Sequence, residues 1–221
     1  MTRALIASLG SALLLAGAAG SADDHSQHDH SQHGTPQQDH SKHQQQMQQA
    51  RLEPSGPNVV DLDVPDVELV DQDGETARFV SQRIGDDLAV ITFTFTTCTT
   101  ICPALDGIFK RLQNEIGDEL GQGTVMLTVS VDPENDIPER LKQHAVRLRA
   151  RPGWSFLTGE RETVTDLLKA VEVYAPDILD HAPSVFVVDG RRGVWTRLYG
   201  FPKPAKIEEV LDGYRAARAE T

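Results

Sequence analysis

The stretch LAVITFTFTTCTTICP, residues 88–103, joins a run of β-branched and aromatic residues to a pair of cysteines and a proline. The run from Leu88 to Thr96 is almost continuously apolar or β-branched, which is typical of a central strand covered on both faces. Pro103 favours the first turn of a helix, where its missing amide hydrogen costs nothing. This stretch therefore predicts a buried strand, a turn that contains both cysteines, and a helix that ends near Ile116.

The chain on both sides of this stretch alternates strand and helix patterns. Asp136, with Glu139 three residues later, predicts a side-chain cap at the start of a helix that ends near Arg149. A hairpin is predicted at 67–70 and 77–80, strands at 124–131, 154–157, 185–188 and 194–198, and helices at 160–173 and 206–219. This order predicts an α/β fold, a mixed sheet with helices on both faces.

The composition excludes several classes of protein. The chain has 221 residues, enough for one or two domains. Acidic residues outnumber basic ones by 33 to 21, giving a formal net charge of −12, so we expect no nucleic-acid partner. Two cysteines are too few for a disulfide-rich scaffold or a four-cysteine zinc site. They allow one disulfide, one redox couple or part of one metal site.

The first residues match a secretory signal. Arg3 precedes a run of small and apolar residues from Ala4 to Ala19, followed by small residues up to Ala22. This pattern predicts a signal peptide over residues 1–22 and an exported, periplasmic protein, in a compartment where a cysteine pair can be oxidised. An uncleaved membrane anchor is the alternative, although the run is shorter than the about 20 apolar residues of a usual membrane span.

Residues 23–58 are predicted to be a disordered, His-rich tail and linker ahead of a domain at 59–221. From 23 to 50 the only apolar side chain larger than Ala is Met47, too little to offset the entropy of ordering the segment. Repeats of the type Asp-His-Ser-x-His supply imidazoles, which suit copper, zinc and nickel. We expect weak auxiliary metal binding there, the alternative being a solubilising linker. The histidines are His25, His28, His30, His33, His40 and His43.

The cysteine pair is expected to carry the chemistry. Cys98 and Cys102 lie between the central strand and its helix, whose free amides and positive dipole end stabilise a thiolate. Thiolates also select Cu(I), so the pair could be a redox dithiol, a copper site or both, with an inert disulfide as the plain alternative. His181, before a predicted strand, is the candidate third ligand, although taken alone it would be a surface histidine. His144 is interpreted as part of a solvated helix face.

These motifs together resemble the Sco/SenC family. FTTCTTICP at 95–103 resembles its Cys-x-x-x-Cys-Pro motif, and VSVDPENDIPE at 129–139 resembles its second signature. WSFLTG at 154–159 and the pair Asp180-His181 follow in the family's order, and the resemblance extends from Val59 to the C-terminus.

The resemblance implies a thioredoxin-like fold and a copper chaperone that helps to assemble the binuclear copper centre of cytochrome c oxidase. Cys98, Cys102 and His181 would then bind copper, as Cu(I) or Cu(II), and the two cysteines would also form the redox couple. The implied partners are the copper-bearing oxidase subunit and a periplasmic thiol reductase or another copper chaperone. We expect the protein to act as a monomer.

Two features depart from that family. Its members commonly keep a membrane anchor, whereas this signal is expected to be cleaved. Pro183 stands where they usually carry an aliphatic residue, and it resembles the cis-proline loop of thioredoxins, which places backbone where a substrate disulfide could dock. We therefore expect a cis Ala182–Pro183 bond, and the alternative function is a thiol-disulfide oxidoreductase that acts on exported proteins. A sensor or scaffold with neither activity is a third possibility.

Overall fold

The computed structural model describes residues 58–220, and in this range it has eight strands and four α-helices. The strands are β1 (Asn58–Val60), β2 (Glu68–Asp71), β3 (Thr76–Arg78), β4 (Leu88–Thr94), β5 (Thr124–Ser130), β6 (Trp154–Thr158), β7 (Ser184–Asp189) and β8 (Val194–Tyr199). The helices are α1 (Cys102–Ile116), α2 (Pro138–Leu148), α3 (Arg161–Ala170) and α4 (Pro204–Ala219).

All eight strands form one sheet in the order β1-β8-β7-β4-β5-β6-β2-β3. Strands β4, β5 and β6 are parallel, and every other neighbouring pair is antiparallel. The predicted mixed sheet is therefore confirmed. Because β7 runs against β4, the start of β7 lies beside the end of β4, where the chain turns towards α1.

The central strand β4 divides the core into two clusters. Leu88 and Val90 belong to a cluster with side chains of α1, α2 and α4. Ala89, Ile91 and Phe93 belong to a second cluster, which contains side chains of α3. All seven residues of β4 are buried, so the alternation of side chains along the strand supplies both faces. The prediction that helices cover both faces is confirmed.

Several boundaries differ from those predicted. The second strand of the predicted hairpin ends at Arg78 rather than at residue 80, and Phe79–Ile84 form a π-helical turn that buries the side chains of Phe79 and Ile84. The helix expected to reach residue 173 ends at Ala170, shortly before Glu172, whose φ of 56° is not helical.

Other predictions lie partly or wholly outside the described range. Within residues 58–220, no helix is long and apolar enough to cross a membrane. The predicted signal peptide and the six histidines of the predicted tail precede Asn58 and so lie outside the described residues.

Candidate functional site

The two cysteines lie on a short segment between β4 and α1, residues 95–102, which we call the cysteine turn. The Cys98 amide donates to the Phe95 carbonyl at 3.2 Å, and the Cys102 amide donates to Cys98 Sγ at 3.4 Å. Both cysteines are free thiols; Cys98 is half-buried and Cys102 is buried. The first turn of α1 thus presents an amide to the Cys98 sulfur, as the sequence predicted for a thiolate at a helix N-terminus.

The surroundings give the two thiols opposite acidities. Burial raises the pKa of Cys98, but hydrogen bonds from the Cys102 thiol, the Cys102 amide and Thr100 outweigh it, and the net pKa lies below its ordinary value. Burial raises the pKa of Cys102 well above its ordinary value, and the bond that its thiol donates to Cys98 raises it further. Cys98 is therefore the more acidic thiol of the pair and Cys102 the less acidic one.

A buried carboxylate fixes the start of the cysteine turn. Asp136 accepts hydrogen bonds from the Thr96 amide at 3.1 Å, from the Thr96 hydroxyl at 2.5 Å and from the Ser130 hydroxyl at 2.6 Å. Its side chain is fully buried, and these bonds join the segment after β4 to the segment after β5. Three donors on one buried carboxylate hold the turn against the sheet.

The predicted cap role of Asp136 is wrong. Ile137 is the residue that precedes α2, no side chain caps the helix, and Pro138 is in its first turn. Proline supplies no amide hydrogen there, so the first turn has less need of a capping acceptor. Asp136 is free to turn inwards, towards Thr96 and Ser130.

His181 lies at the end of the segment between α3 and β7, residues 171–183, which we call the histidine connection. The ring is buried, and its Nδ1 lies 2.6 Å from the Ile178 carbonyl oxygen. Because a carbonyl oxygen can only accept, Nδ1 carries a proton, and in the neutral imidazole Nε2 therefore presents a lone pair. Nε2 is buried and has no hydrogen-bond partner among the described residues. A buried nitrogen lone pair without a partner fits a metal ligand.

Phe95 lies between the two halves of the candidate site. Its ring centroid is 6.0 Å from that of His181, in an edge-on arrangement. Phe95 and Cys102 belong to the same apolar cluster, and the backbone of Phe95 donates a hydrogen bond to the Cys102 sulfur. Within residues 58–220 no three His, Cys, Asp or Glu side chains are close enough to hold a metal ion together. The structure thus brings the three predicted residues to one end of the sheet without closing them into a metal site.

A cavity of about 290 Å³ adjoins the histidine connection. His181 and Ile178 are part of its wall, together with Leu168 of α3. The segment after β5 contributes Asp132 and Glu134. His181 therefore lies between the Phe95 ring and an accessible space.

The interpretation of His144 as solvated is wrong. Its ring is buried and packs edge-on against Phe156, with the centroids 5.7 Å apart. Nε2 lies 3.1 Å from Oδ2 of Asp106, and Arg147 donates to Nδ1 at 2.9 Å. Both ring nitrogens are satisfied, so His144 is a structural residue of the core.

Sequence reasoning missed one residue beside the site. Arg197 of β8 is buried, and its guanidinium donates to the carbonyl oxygens of Val171 and Glu172, at the start of the histidine connection. Its position in an otherwise ordinary strand pattern carries no signal of this contact. Only the pairing of β8 with β7 places it beside that segment.

Comparisons with known proteins agree with this architecture. A family model described as SCO1/SenC matches residues 61–216. A SCO2-like protein of Rickettsia conorii is 26% identical over 159 residues, covering 66% of this chain and 74% of the relative. A protein of Stutzerimonas stutzeri whose name describes it as copper-binding is 31% identical over 108 residues, covering 49% of this chain and 51% of its own length.

Solved structures share the fold. BsSco, described as a member of the Sco family of cytochrome c oxidase assembly proteins, superposes with a TM-score of 0.61 at 24% identity, over 74% of this chain and 98% of its own. Copper-bound yeast Sco1 superposes with a TM-score of 0.56 at 20% identity, over 73% of this chain and 92% of its own. The predicted thioredoxin-like fold is confirmed.

Proposed function

Because the chain belongs to the SCO1/SenC family, we propose that it is an exported copper-binding protein, with Cys98, Cys102 and His181 as its ligands. It would deliver copper to the binuclear centre of cytochrome c oxidase. The observation that carries this proposal is the buried, unpartnered Nε2 of His181 at the same end of the sheet as two free thiols.

The chemistry of the three proposed ligands determines which metal ion they favour. Two thiolates and one imidazole are soft or intermediate donors, which favour Cu(I) over harder ions. The Ile178 carbonyl fixes the His181 tautomer, so Nε2 is ready to bind without losing a proton. The relatives described above as copper-binding or copper-bound support the same cargo.

Copper binding and cysteine oxidation exclude each other in this proposal. A disulfide between Cys98 and Cys102 has no thiolate to offer, so oxidised protein would not bind Cu(I). The protein therefore needs a periplasmic thiol reductase, and it receives copper from another chaperone or from the medium. We place this domain at residues 59–221, after a signal peptide at 1–22 and a His-rich linker at 23–58 whose histidines bind metal weakly.

An anaerobic Cu(I) titration against a competing chelator tests the proposal. Reduced wild type should bind one Cu(I), and His181→Ala should lower the affinity by more than about 100-fold, since even loss of an outer-shell partner costs 10- to 100-fold. His144→Ala is the matched control: it also removes a buried imidazole, but should lower stability and leave the Cu(I) affinity unchanged. Wild-type affinity in His181→Ala, or Cu(I) binding by fully oxidised protein, would overturn the ligand assignment.

A thiol-disulfide oxidoreductase is the second candidate, favoured by the opposite acidities of the two thiols. The Cys98 thiolate would attack a substrate disulfide and form a mixed disulfide, releasing one substrate thiolate. Cys102 would then lose its proton and attack Cys98 Sγ, releasing the second substrate thiolate and leaving a Cys98–Cys102 disulfide. A dithiol reductant would restore both thiols.

Turnover on a protein disulfide separates the two candidates. Reductase activity should survive His181→Ala and be lost in Cys98→Ser, because the imidazole takes no part in the exchange. The cis Ala182–Pro183 bond expected from the sequence stays a prediction. If wild type reduces no protein disulfide while it binds Cu(I) tightly, the second candidate fails and the first stands.

A further inference from the structure

We propose that Arg197 is a positioning residue for the copper site, because it fixes the start of the histidine connection and thereby the place of His181. The inference rests on the proposed role of His181 as a ligand. Arg197 itself does not reach the metal.

The contacts of Arg197 are directed at the backbone of the connection. Nη2 donates to the Val171 carbonyl oxygen at 2.5 Å and to the Glu172 carbonyl oxygen at 2.9 Å. These carbonyls lie just beyond the last turn of α3, where helix geometry leaves acceptors unpaired. A guanidinium suits this task, since its planar fork can reach two acceptors from one rigid group.

The guanidinium is itself held in place. Arg197 is only 3% exposed, and its Cζ lies 4.8 Å from the ring centroid of Phe186, the residue opposite it on β7. The guanidinium also packs against Tyr199, two residues further along β8, whose ring centroid lies 5.1 Å from Cζ. A cation packed against two rings in a buried strand has little freedom, so it can transmit the position of the sheet to the connection.

The residue that follows β8 holds the far end of the connection. Immediately after β8, the Gly200 amide donates to the Pro183 carbonyl oxygen at 2.8 Å. Arg197 and Gly200 thus fasten residues 171–183 at both ends to one stretch of four residues, and His181 lies between these attachments. Because residues 197–200 hold both ends of the connection, releasing one end should change the position of His181.

Backbone bonds rather than charge should dominate this effect. Nη1 of Arg197 also pairs with a Glu172 side-chain oxygen at 3.1 Å, but the Glu172 side chain is 67% exposed. An ion pair with such an exposed partner is screened by water and adds little. Glu172→Gln should therefore leave the copper affinity close to that of wild type, because both backbone acceptors remain.

The test measures copper affinity and local stability in four full-length proteins: wild type, Arg197→Met, Arg197→Lys and Arg83→Met. Arg83 is the matched control, since it is a mostly buried arginine at the other edge of the sheet, paired with Asp71 at 2.9 Å and donating to the Glu75 carbonyl at 2.6 Å. Arg197→Met should lower the Cu(I) affinity by roughly 10- to 100-fold, as losses of groups that orient ligands do. Arg83→Met should destabilise the protein without that loss.

Two further readouts separate positioning from general destabilisation. In metal-free protein, hydrogen exchange should speed up in residues 171–183 of Arg197→Met but not in Arg83→Met. In the Cu(II) form, the nitrogen coupling in the EPR spectrum should weaken in Arg197→Met. Arg197→Lys keeps the charge but not the fork, so its affinity should fall between those of wild type and Arg197→Met. Arg197→Lys also tests the positioning role if Arg197→Met folds poorly.

The outcomes are distinguishable. If His181→Ala binds copper as tightly as wild type, the ligand assignment fails, whatever the result for the Arg197 variants. If His181→Ala loses copper but Arg197→Met and Arg197→Lys bind it as tightly as wild type, the positioning role is overturned. An equal loss of affinity in Arg83→Met would also overturn it, because the effect would then follow stability alone.

Discussion

The cysteine turn and the histidine connection meet at Phe95, yet they are held in different ways. The turn is fixed at its start by a buried carboxylate, Asp136, which accepts hydrogen bonds from Thr96 and Ser130. The connection is fixed at its ends, by Arg197 and by the Gly200 amide. These bonds tie the start of the turn to the sheet, whereas Leu179, between the two attachments of the connection, is largely exposed. We therefore expect the cysteine turn to be the more rigid half of the candidate site.

The largest expected effect is the difference in reactivity between the two thiols of the turn. In reduced, metal-free protein, iodoacetamide should alkylate Cys98 much faster than Cys102, because the pKa of Cys98 is lowered, that of Cys102 is raised, and the thiolate is the reactive form. The pKa of Cys98 is lowered, so its alkylation rate should reach half its maximum at a lower pH than that of an unperturbed cysteine.

Peptide mapping after partial alkylation measures this ratio. Arg197→Met should leave the Cys98 rate unchanged, because it releases only the histidine connection. Asp136→Asn should alter it, because it loosens the turn that supplies the hydrogen bonds to sulfur. Comparable rates for the two cysteines would show that the turn does not distinguish them.

The second prediction concerns the rigidity of the turn. Asp136→Ala should lower the free energy of unfolding by about 3 kcal/mol or more, because it leaves the Thr96 amide and the Ser130 hydroxyl without their acceptor. Glu139→Ala is the control: this side chain is exposed and caps nothing, so its change should stay within about 0.5 kcal/mol. Urea unfolding of both variants makes the measurement, and similar losses in the two would restore the capping interpretation.

The sequence predicts this site best where the signals are local. The apolar run of β4, the two cysteines and Pro103 are adjacent in the chain, and each influences its own neighbourhood. The role of Asp136 depends on the parallel pairing of β4 with β5, which brings it to Thr96 across 40 positions of sequence. No local pattern contains that information.

The two globular histidines show the same limit. Basic neighbours on the helix suggested that His144 faces water, but its main partner, Asp106, comes from another helix. His181 resembled a surface residue, yet it is buried by the packing of its connection against Phe95. A histidine can be assigned as ligand or core residue only once the partners of both ring nitrogens are known.

The third prediction concerns the contribution of the Ser130 hydroxyl to the free energy of unfolding. Ser130→Ala removes the hydroxyl that donates to Asp136 at 2.6 Å and that also accepts from the Asp132 amide at 3.0 Å. Asp136 keeps both bonds from Thr96, so the loss should be about 1–2 kcal/mol, smaller than for Asp136→Ala. Urea unfolding should show this order, and a loss as large as that of Asp136→Ala would mean that Thr96 contributes little.

The smallest effect is expected in the middle of the histidine connection. Leu179 is 64% exposed, and its amide donates to the Asp177 side chain at 2.9 Å, a bond that a new side chain does not remove. Leu179→Ser should therefore change the free energy of unfolding by less than about 0.5 kcal/mol, the usual range for exposed positions. Its Cu(I) affinity should match that of wild type, because His181 keeps its bond to Ile178. A loss above about 1.5 kcal/mol in urea would mean that the middle of the connection is packed like the cysteine turn, and the contrast between the two segments would not hold.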